Sequence, residues 1–197
     1  MIPGRVVLAT ANPGKVRELT RLVRRWGDVD LVGLDRFLGV SLPPEDGQTY
    51  ADNATGKATA VAGATGLPAL GDDSGLEVDA LAGAPGLWSA RFAPTDAARV
   101  EKLLHALAGV APPARTARFR CVVAMAWPEG RVILAEGVCE GRIATVVRGE
   151  GGFGYDPVFE PEGFTTSFAA LPAETKDRVS HRARALEALG RSLLALK

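Results

Sequence analysis

Cysteine is scarce in this 197-residue chain: there are two, Cys121 and Cys139. Two thiols cannot build a disulfide scaffold, and without CxxC spacing they suggest neither a zinc site nor a redox pair. Both lie in apolar runs, where a thiol packs as a small hydrophobe. Net charge is also lacking, with 23 Lys and Arg against 23 Asp and Glu. No long-range field therefore draws the chain to DNA, RNA or an anionic membrane, and neither nucleic acid nor membrane is an expected partner. An anionic ligand must instead be met by a local group of donors. No apolar run approaches the ~20 residues of a membrane span. The opening MIPGRVVLATANPGK lacks the apolar core and small-residue cleavage site of a secretory signal, so the cytoplasm is the expected location.

What is present is ordinary globular material. Hydrophobic residues make up 47% of the chain, enough for a sizeable core, and composition hardly shifts along it; a single domain over 1–197 is expected. Arg5–Ala9 reads as a buried strand, Lys15–Trp26 as a helix with Val16, Leu19, Leu22, Val23 and Trp26 on one stripe, and Val29–Leu34 as a second strand. This is the grammar of an α/β layer. An Ala-rich helix is expected over Tyr50–Ala64, a short strand over Leu67–Leu70, and a helix over Asp96–Ala108 capped by Thr95 or Asp96. Ala117–Trp127 and Arg131–Val138 flank Pro128-Glu129-Gly130 as a hairpin, and Cys139–Val147 extends the strand pattern. Glu174–Leu196 reads as one closing amphipathic helix.

Five stretches carry chemistry. Thr10-Ala11-Asn12-Pro13-Gly14-Lys15 links a strand to a helix, where backbone N–H groups and a lysine suit phosphate. It is not a Walker A loop, because Ala9 and Val16 stand where that motif needs Gly and Ser or Thr. In Gly71-Asp72-Asp73-Ser74-Gly75 two adjacent carboxylates leave an apolar strand between glycines. Such a pair calls for a cation or donors, and one member could take a proton from water. Glu45 and Asp46 form a second acidic pair on a loop, with Asp52 nearby.

Gly149-Glu150-Gly151-Gly152-Phe153-Gly154 matches GxGxxG, but it lies late in the chain and opens no helix, which excludes a dinucleotide fingerprint. A glycine-rich loop that approaches a ligand, with Phe153 and Tyr155 available to stack on a base, fits better. Lys176, Ser180, His181 and Arg182 open the last helix; five residues separate Lys176 from His181, ~140° of helical rotation, so both reach one ligand only if Lys176 sits at or before the helix start.

In this order the stretches resemble the inosine triphosphate pyrophosphatase family, enzymes that cleave ITP, dITP and XTP. The residues carrying the likeness are Thr10–Lys15, Gly71–Leu76, Gly83-Ala-Pro-Gly-Leu-Trp-Ser-Ala-Arg91, Gly151–Pro157 and Ser180-His181-Arg182. The resemblance implies an elongated α/β fold, a mixed sheet flanked by helices with two lobes around a central substrate cleft, in a homodimer. It also implies Mg²⁺ and release of pyrophosphate from a purine nucleoside triphosphate. By that likeness Asp73 is the general base and a metal carboxylate, and Thr10, Ala11, Asn12, Pro13, Gly14 and Lys15 bind the phosphates. Ser74, Phe153, Gly154, Tyr155, Asp156, Lys176, His181 and Arg182 hold the nucleotide. The family's acidic stretch before the first central helix is Pro43-Pro44-Glu45-Asp46-Gly47 here; Glu45 is the expected second metal ligand, with Asp46 the alternative one position on. Two rivals remain at this point: a non-catalytic nucleotide sensor, and a pyrophosphatase for pyrimidine or modified nucleotides of the Maf-like kind.

Overall fold

The computed structural model describes residues 2–195. Six strands form a mixed sheet in the order β2-β1-β3-β4-β5-β6, namely β1 (Arg5–Ala9), β2 (Asp30–Gly33), β3 (Ala69–Val78), β4 (Thr116–Ala126), β5 (Val132–Ile143) and β6 (Phe159–Pro161). The helices that accompany it are α1 (Pro13–Val23), α2 (Tyr50–Thr65), α3 (Asp96–Ala106), α4 (Ala173–Val179) and α5 (His181–Ala195). The chain forms two compact units. The first holds the described residues up to Asp73, Cys121–Gly137 and those from His181 on; the second holds Ser74–Arg120 and Val138–Ser180. Among the described residues no helix is long and apolar enough to cross a membrane.

In the first unit, β1 pairs in parallel with both β2 and β3, and the register sets Leu8 against Leu70 and Ala9 against Gly71. β1 ends at Ala9 while β3 runs on, so Thr10 leaves the sheet beside Asp72, at the carboxyl end of β1, where α/β proteins place ligands. The core joins Val6 and Leu8 of β1, Leu19, Leu22 and Val23 of α1, Val123 and Met125 of β4, and Leu186, Leu189 and Leu193 of α5. Asn12 caps α1 and Pro13 opens it, a residue whose missing N–H costs nothing at that position. Thr49 and Asp52 close a capping box at the start of α2, and Gly66 ends it in the left-handed region. Asp52 thus has a structural task. A side chain on Gly71 would strike the Ala54 carbonyl, so a glycine is needed where α2 crosses β3.

The second unit has its own core, in which α3 (Val100, Leu103) meets Leu76, Val78, Ile143 and an aromatic trio. Ring centroids within that trio are 4.7 Å apart for Phe119–Phe159 and 5.1 Å for Phe159–Phe168. Thr95 caps α3, accepting from the Ala98 N–H at 3.2 Å.

Three expectations need correction. The strand expected over Leu67–Leu70 does not stop before the acidic pair: β3 runs unbroken from Ala69 to Val78. The flanking glycines read as the end of a strand, whereas Gly71 is there for packing. The closing helix is not continuous either. It breaks at Ser180, whose backbone is extended (φ −68°, ψ 154°), so Lys176 ends one helix and His181 starts another. The rotation between them on a single helix therefore does not apply. Leu196 lies outside the described residues. Strand β5 also stops at Ile143, short of the expected Val147.

Candidate functional site

Because β3 continues through the acidic pair, Asp72 and Asp73 send their side chains to opposite faces of the sheet. Adjacent like charges are thereby separated, and each receives its own surroundings.

Asp72 is fully buried. One carboxylate oxygen pairs with the Lys15 ammonium. The other accepts from Arg182 Nε at 2.8 Å and from the Cys121 thiol at 3.1 Å. Arg182 is itself 1% exposed and also pairs with Glu18 of α1. Burial opposes the Asp72 charge, but Arg182 and then Lys15 overcome it and hold the carboxyl well below the ordinary value. Burial likewise opposes the Lys15 ammonium, but Asp72 and, less strongly, Asp73 outweigh it, and its pKa is raised. Lys15, Arg182, Asp72 and Glu18 thus form a closed set of two cations and two anions. Burial and the Asp72 charge push the Cys121 thiol well up. Both cysteines are free and buried, as their apolar runs suggested.

Asp73, on the other face, accepts from Asn53 Nδ2 at 2.9 Å and lies 3.9 Å from the Lys57 ammonium. Lys57 also pairs with Glu45. Asp46, the alternative in the sequence, is exposed. Burial raises the Asp73 pKa; Lys15, Lys57 and the Asn53 hydrogen bond pull it down without cancelling the effect, and Glu45 adds to the rise. One acid is thereby fixed as an anion and its neighbour is made easier to protonate, an arrangement typical of paired carboxylates with distinct tasks.

The loop before α1 differs from the simple picture of a helix end open to phosphate. Asn12 Oδ1 accepts from the Gly14 and Lys15 N–H groups at 2.8 and 3.1 Å. The Val16 N–H bonds the Asn12 carbonyl, and Pro13 has no N–H. The cap therefore satisfies the first-turn donors. Thr10 Oγ1 accepts from the Asn12 N–H at 3.2 Å. Any anion there meets side chains, chiefly Lys15 and the exposed Asn12, with Ala11 and Pro13 exposed beside it.

In the second unit, residues 149–157 form turns rather than a strand-to-helix fingerprint. The carboxylate of buried Asp156 accepts from the Phe153 N–H at 2.9 Å and pairs with the Lys176 ammonium. That ammonium lies 5.3 Å from the ring centroids of both Phe153 and Phe168. Gly152 and Gly154 adopt positive φ (74° and 63°), which lets the loop fold back onto Asp156. Tyr155 is 4% exposed, packs in the core and donates its hydroxyl to the Ser89 carbonyl at 2.9 Å. Burial raises its pKa. Phe153, half-buried, is the aromatic face better placed for a base. Ser74 is half-buried on β3, and Lys176 and His181 are each 4% exposed, not a solvated basic face.

Sequence reasoning passed over Asn53 and Lys57. Their signal was present: both are polar yet share the buried stripe of α2 with Ala54, Ala58, Val61 and Ala62 at helical spacing.

An α/β frame that sets a lysine loop beside one fixed and one protonatable carboxylate defines a protein equipped to bind a polyanion and move a proton next to it. The chain belongs to the Ham1 family, whose model matches residues 6–192. It is 53% identical over 186 residues to a dITP/XTP pyrophosphatase of Desulforamulus reducens, covering 93% of this chain and 92% of that protein. A dITP/XTP pyrophosphatase of Streptomyces coelicolor is 46% identical over 189 residues, 94% of each chain. The solved structure of a HAM1 protein from Coxiella burnetii superposes with a TM-score of 0.85 at 39% identity, covering 97% of this chain and 98% of that one.

Proposed function

We propose that this protein hydrolyses damaged purine nucleoside triphosphates (ITP, dITP and XTP) to the nucleoside monophosphate and pyrophosphate, keeping them out of DNA and RNA. The observation that carries the reading is the convergence of Asp73, Asn53, Lys57 and Glu45 beside the lysine loop. Relatives named dITP/XTP pyrophosphatases supply the substrate class.

Asp73 takes a proton from the attacking water, for which burial has prepared it by raising its affinity for that proton. Asn53 holds one carboxylate oxygen, which orients the base. Lys15, with Thr10 and Asn12, steadies the negative charge of the phosphates; positioning and charge stabilisation supply most of phosphoryl-transfer catalysis. The new oxygen–phosphorus bond forms as the α–β bridging bond breaks, and pyrophosphate leaves with the bridging oxygen.

The donor set suits Mg²⁺. Asp73 and Glu45 both face the Lys57 ammonium, so two carboxylates already converge on one positive charge. Among the described residues no group of three or more His, Cys, Asp or Glu is built to hold a metal. Two carboxylates completed by substrate oxygens are what Mg²⁺ accepts. Asp73 and Glu45 would hold the ion, which would polarise the phosphates and neutralise their charge.

For the base, the assignment rests on the resemblance together with the Phe153–Asp156–Lys176 cluster: Phe153 stacks and Lys176 answers the 6-keto oxygen, the Gly154 and Phe153 N–H groups being taken by Asp96 and Asp156. The continuous family match supports one catalytic domain over 1–197, and we place it in the cytoplasm as a homodimer, as in the resembled family. The test is phosphorus NMR of products from ITP with Mg²⁺. Inosine monophosphate and pyrophosphate are expected; orthophosphate as the first product would refute the bond assignment, and turnover of ATP equal to that of ITP would refute the substrate class.

A further inference from the structure

Asp72 touches neither Asn53 nor Lys57, and the mechanism above gives it no chemical step. Yet it is fully buried and collects partners from three elements: Lys15 of α1, Arg182 of α5 and Cys121 of β4. Lys15 is held twice by this one residue, by its carboxylate and by its backbone carbonyl at 3.3 Å. An ammonium has three N–H donors on a stem of four rotatable carbons. With two donors committed to Asp72, the head has one position and one remaining N–H direction. Without them, an otherwise flexible side chain would have to be brought into place as charge develops during reaction, at a cost in rotamer entropy.

We propose that Asp72 is a positioning residue for the phosphate-binding lysine: it pins the Lys15 ammonium and so aims its remaining donor at the triphosphate. This rests on the proposed function, in which Lys15 meets the phosphates. Arg182 is not the object of this device, because Glu18 grips its guanidinium independently. The restraint matters most where charge develops during reaction, since misplacing a reacting or stabilising group by about 1 Å can cost on the order of 10²-fold in rate. Ground-state anion binding depends on the lysine's charge and tolerates a looser head.

The test compares wild type, Asp72→Asn, Lys15→Met and the double variant, reading kcat and KM for ITP with Mg²⁺ and the inhibition constant of inorganic pyrophosphate. Asp72→Asn is expected to lower kcat by about 10–100-fold while pyrophosphate inhibits at least as tightly as in wild type, because the lysine keeps its charge and loses its anionic partner. Lys15→Met is expected to lower kcat and weaken pyrophosphate inhibition together. In the double variant kcat should stay within about twofold of Lys15→Met, since non-additivity marks residues that act through one another. The double variant removes one charge of each sign, so its comparison with Lys15→Met stands even if Asp72→Asn alone does not fold. A further tenfold loss of kcat on adding Asp72→Asn to Lys15→Met overturns the proposal. So does weakened pyrophosphate inhibition in Asp72→Asn. Failure of wild type to release pyrophosphate from ITP would instead strike the proposed function.

Discussion

The buried guanidinium of Arg182 offers a direct test of how charge is managed in the first unit. Its side chain is 1% exposed, donates from Nε to Asp72 at 2.8 Å and pairs with Glu18, whose side chain is 6% exposed. Arg182→Met keeps most of the aliphatic volume and removes the cation between two buried carboxylates. Breaking a buried pair in this way costs about 3–5 kcal/mol, because the remaining charge has neither water nor partner. For a protein of this size each kcal/mol moves the thermal midpoint by roughly 2–4 °C, so the variant should melt roughly 6–20 °C below wild type. The assay is thermal unfolding in EDTA, followed across pH. In wild type, Asp72 is held well below its ordinary value of 3.8, so its contribution is complete above that value and fades as pH falls towards the depressed one. In the variant, burial dominates and the acid protonates more readily, so the gap between the two proteins should be full at pH 7 and narrow below about pH 4. A midpoint within about 2 °C of wild type at pH 7, or a gap that widens in acid, would refute this account of the network.

Asp73→Asn keeps the shape but removes the proton acceptor, and kcat for ITP should fall by roughly 10²–10⁴ while nucleotide affinity measured by calorimetry survives in part; near-normal turnover would show that another group is the base. Gly71→Ala should destabilise by about 1–3 kcal/mol in urea unfolding, since the new methyl meets the Ala54 carbonyl where α2 crosses β3. Asn12→Ala removes the α1 cap and should cost about 1 kcal/mol by the same measurement. Lys176→Met should narrow the ratio of kcat/KM for ITP over ATP while leaving Mg²⁺ dependence intact, because a site built on matched donors discriminates by about 10⁴–10⁵ and loses that power with its donor.

How far the sequence was legible follows from how local each signal is. The starts of α1, α2 and α3 were readable from stripes and capping residues within one or two turns, and β1 and the β4–β5 hairpin from short apolar runs around a turn. The break at Ser180 was not readable: neither glycine nor proline marks it, and the chain on either side is helical by composition. The strand was expected to end at Leu70, before Gly71–Gly75, because glycine has two uses, left-handed backbone and close packing, and sequence alone does not say which applies. Tyr155 shows the same ambiguity: an aromatic in a glycine-rich loop can face a ligand or fill a core, and here its ring lies in the core with its hydroxyl bonded to Ser89. Asp73 and Glu45 were named because the family resemblance, carried by motif order, singles them out. Lys57 and Asn53 were not, because their meaning depends on Asp73 reaching them from another element.

That dependence also explains why the two aspartates cannot exchange roles. Strand alternation gives each a fixed face, and the faces differ in charge count. Around Asp72 stand two cations, Lys15 and Arg182, against two carboxylates, its own and that of Glu18, all joined by direct pairs. Such a set has no excess to offer a metal ion, and its acid is too firmly anionic to serve as a general base near neutral pH. The pairs that surround Asp73 join one cation, Lys57, to two carboxylates, its own and that of Glu45. The excess there is negative, but Lys15 also acts on Asp73 and offsets part of that excess; in the proposed function this is the face that takes the divalent cation. Burial raises the proton affinity of Asp73, and the pull of Lys15, Lys57 and the Asn53 hydrogen bond does not cancel it. In the proposed function a proton and a metal ion therefore compete for one carboxylate, and the alternation of β3 sets that carboxylate on one side of the sheet.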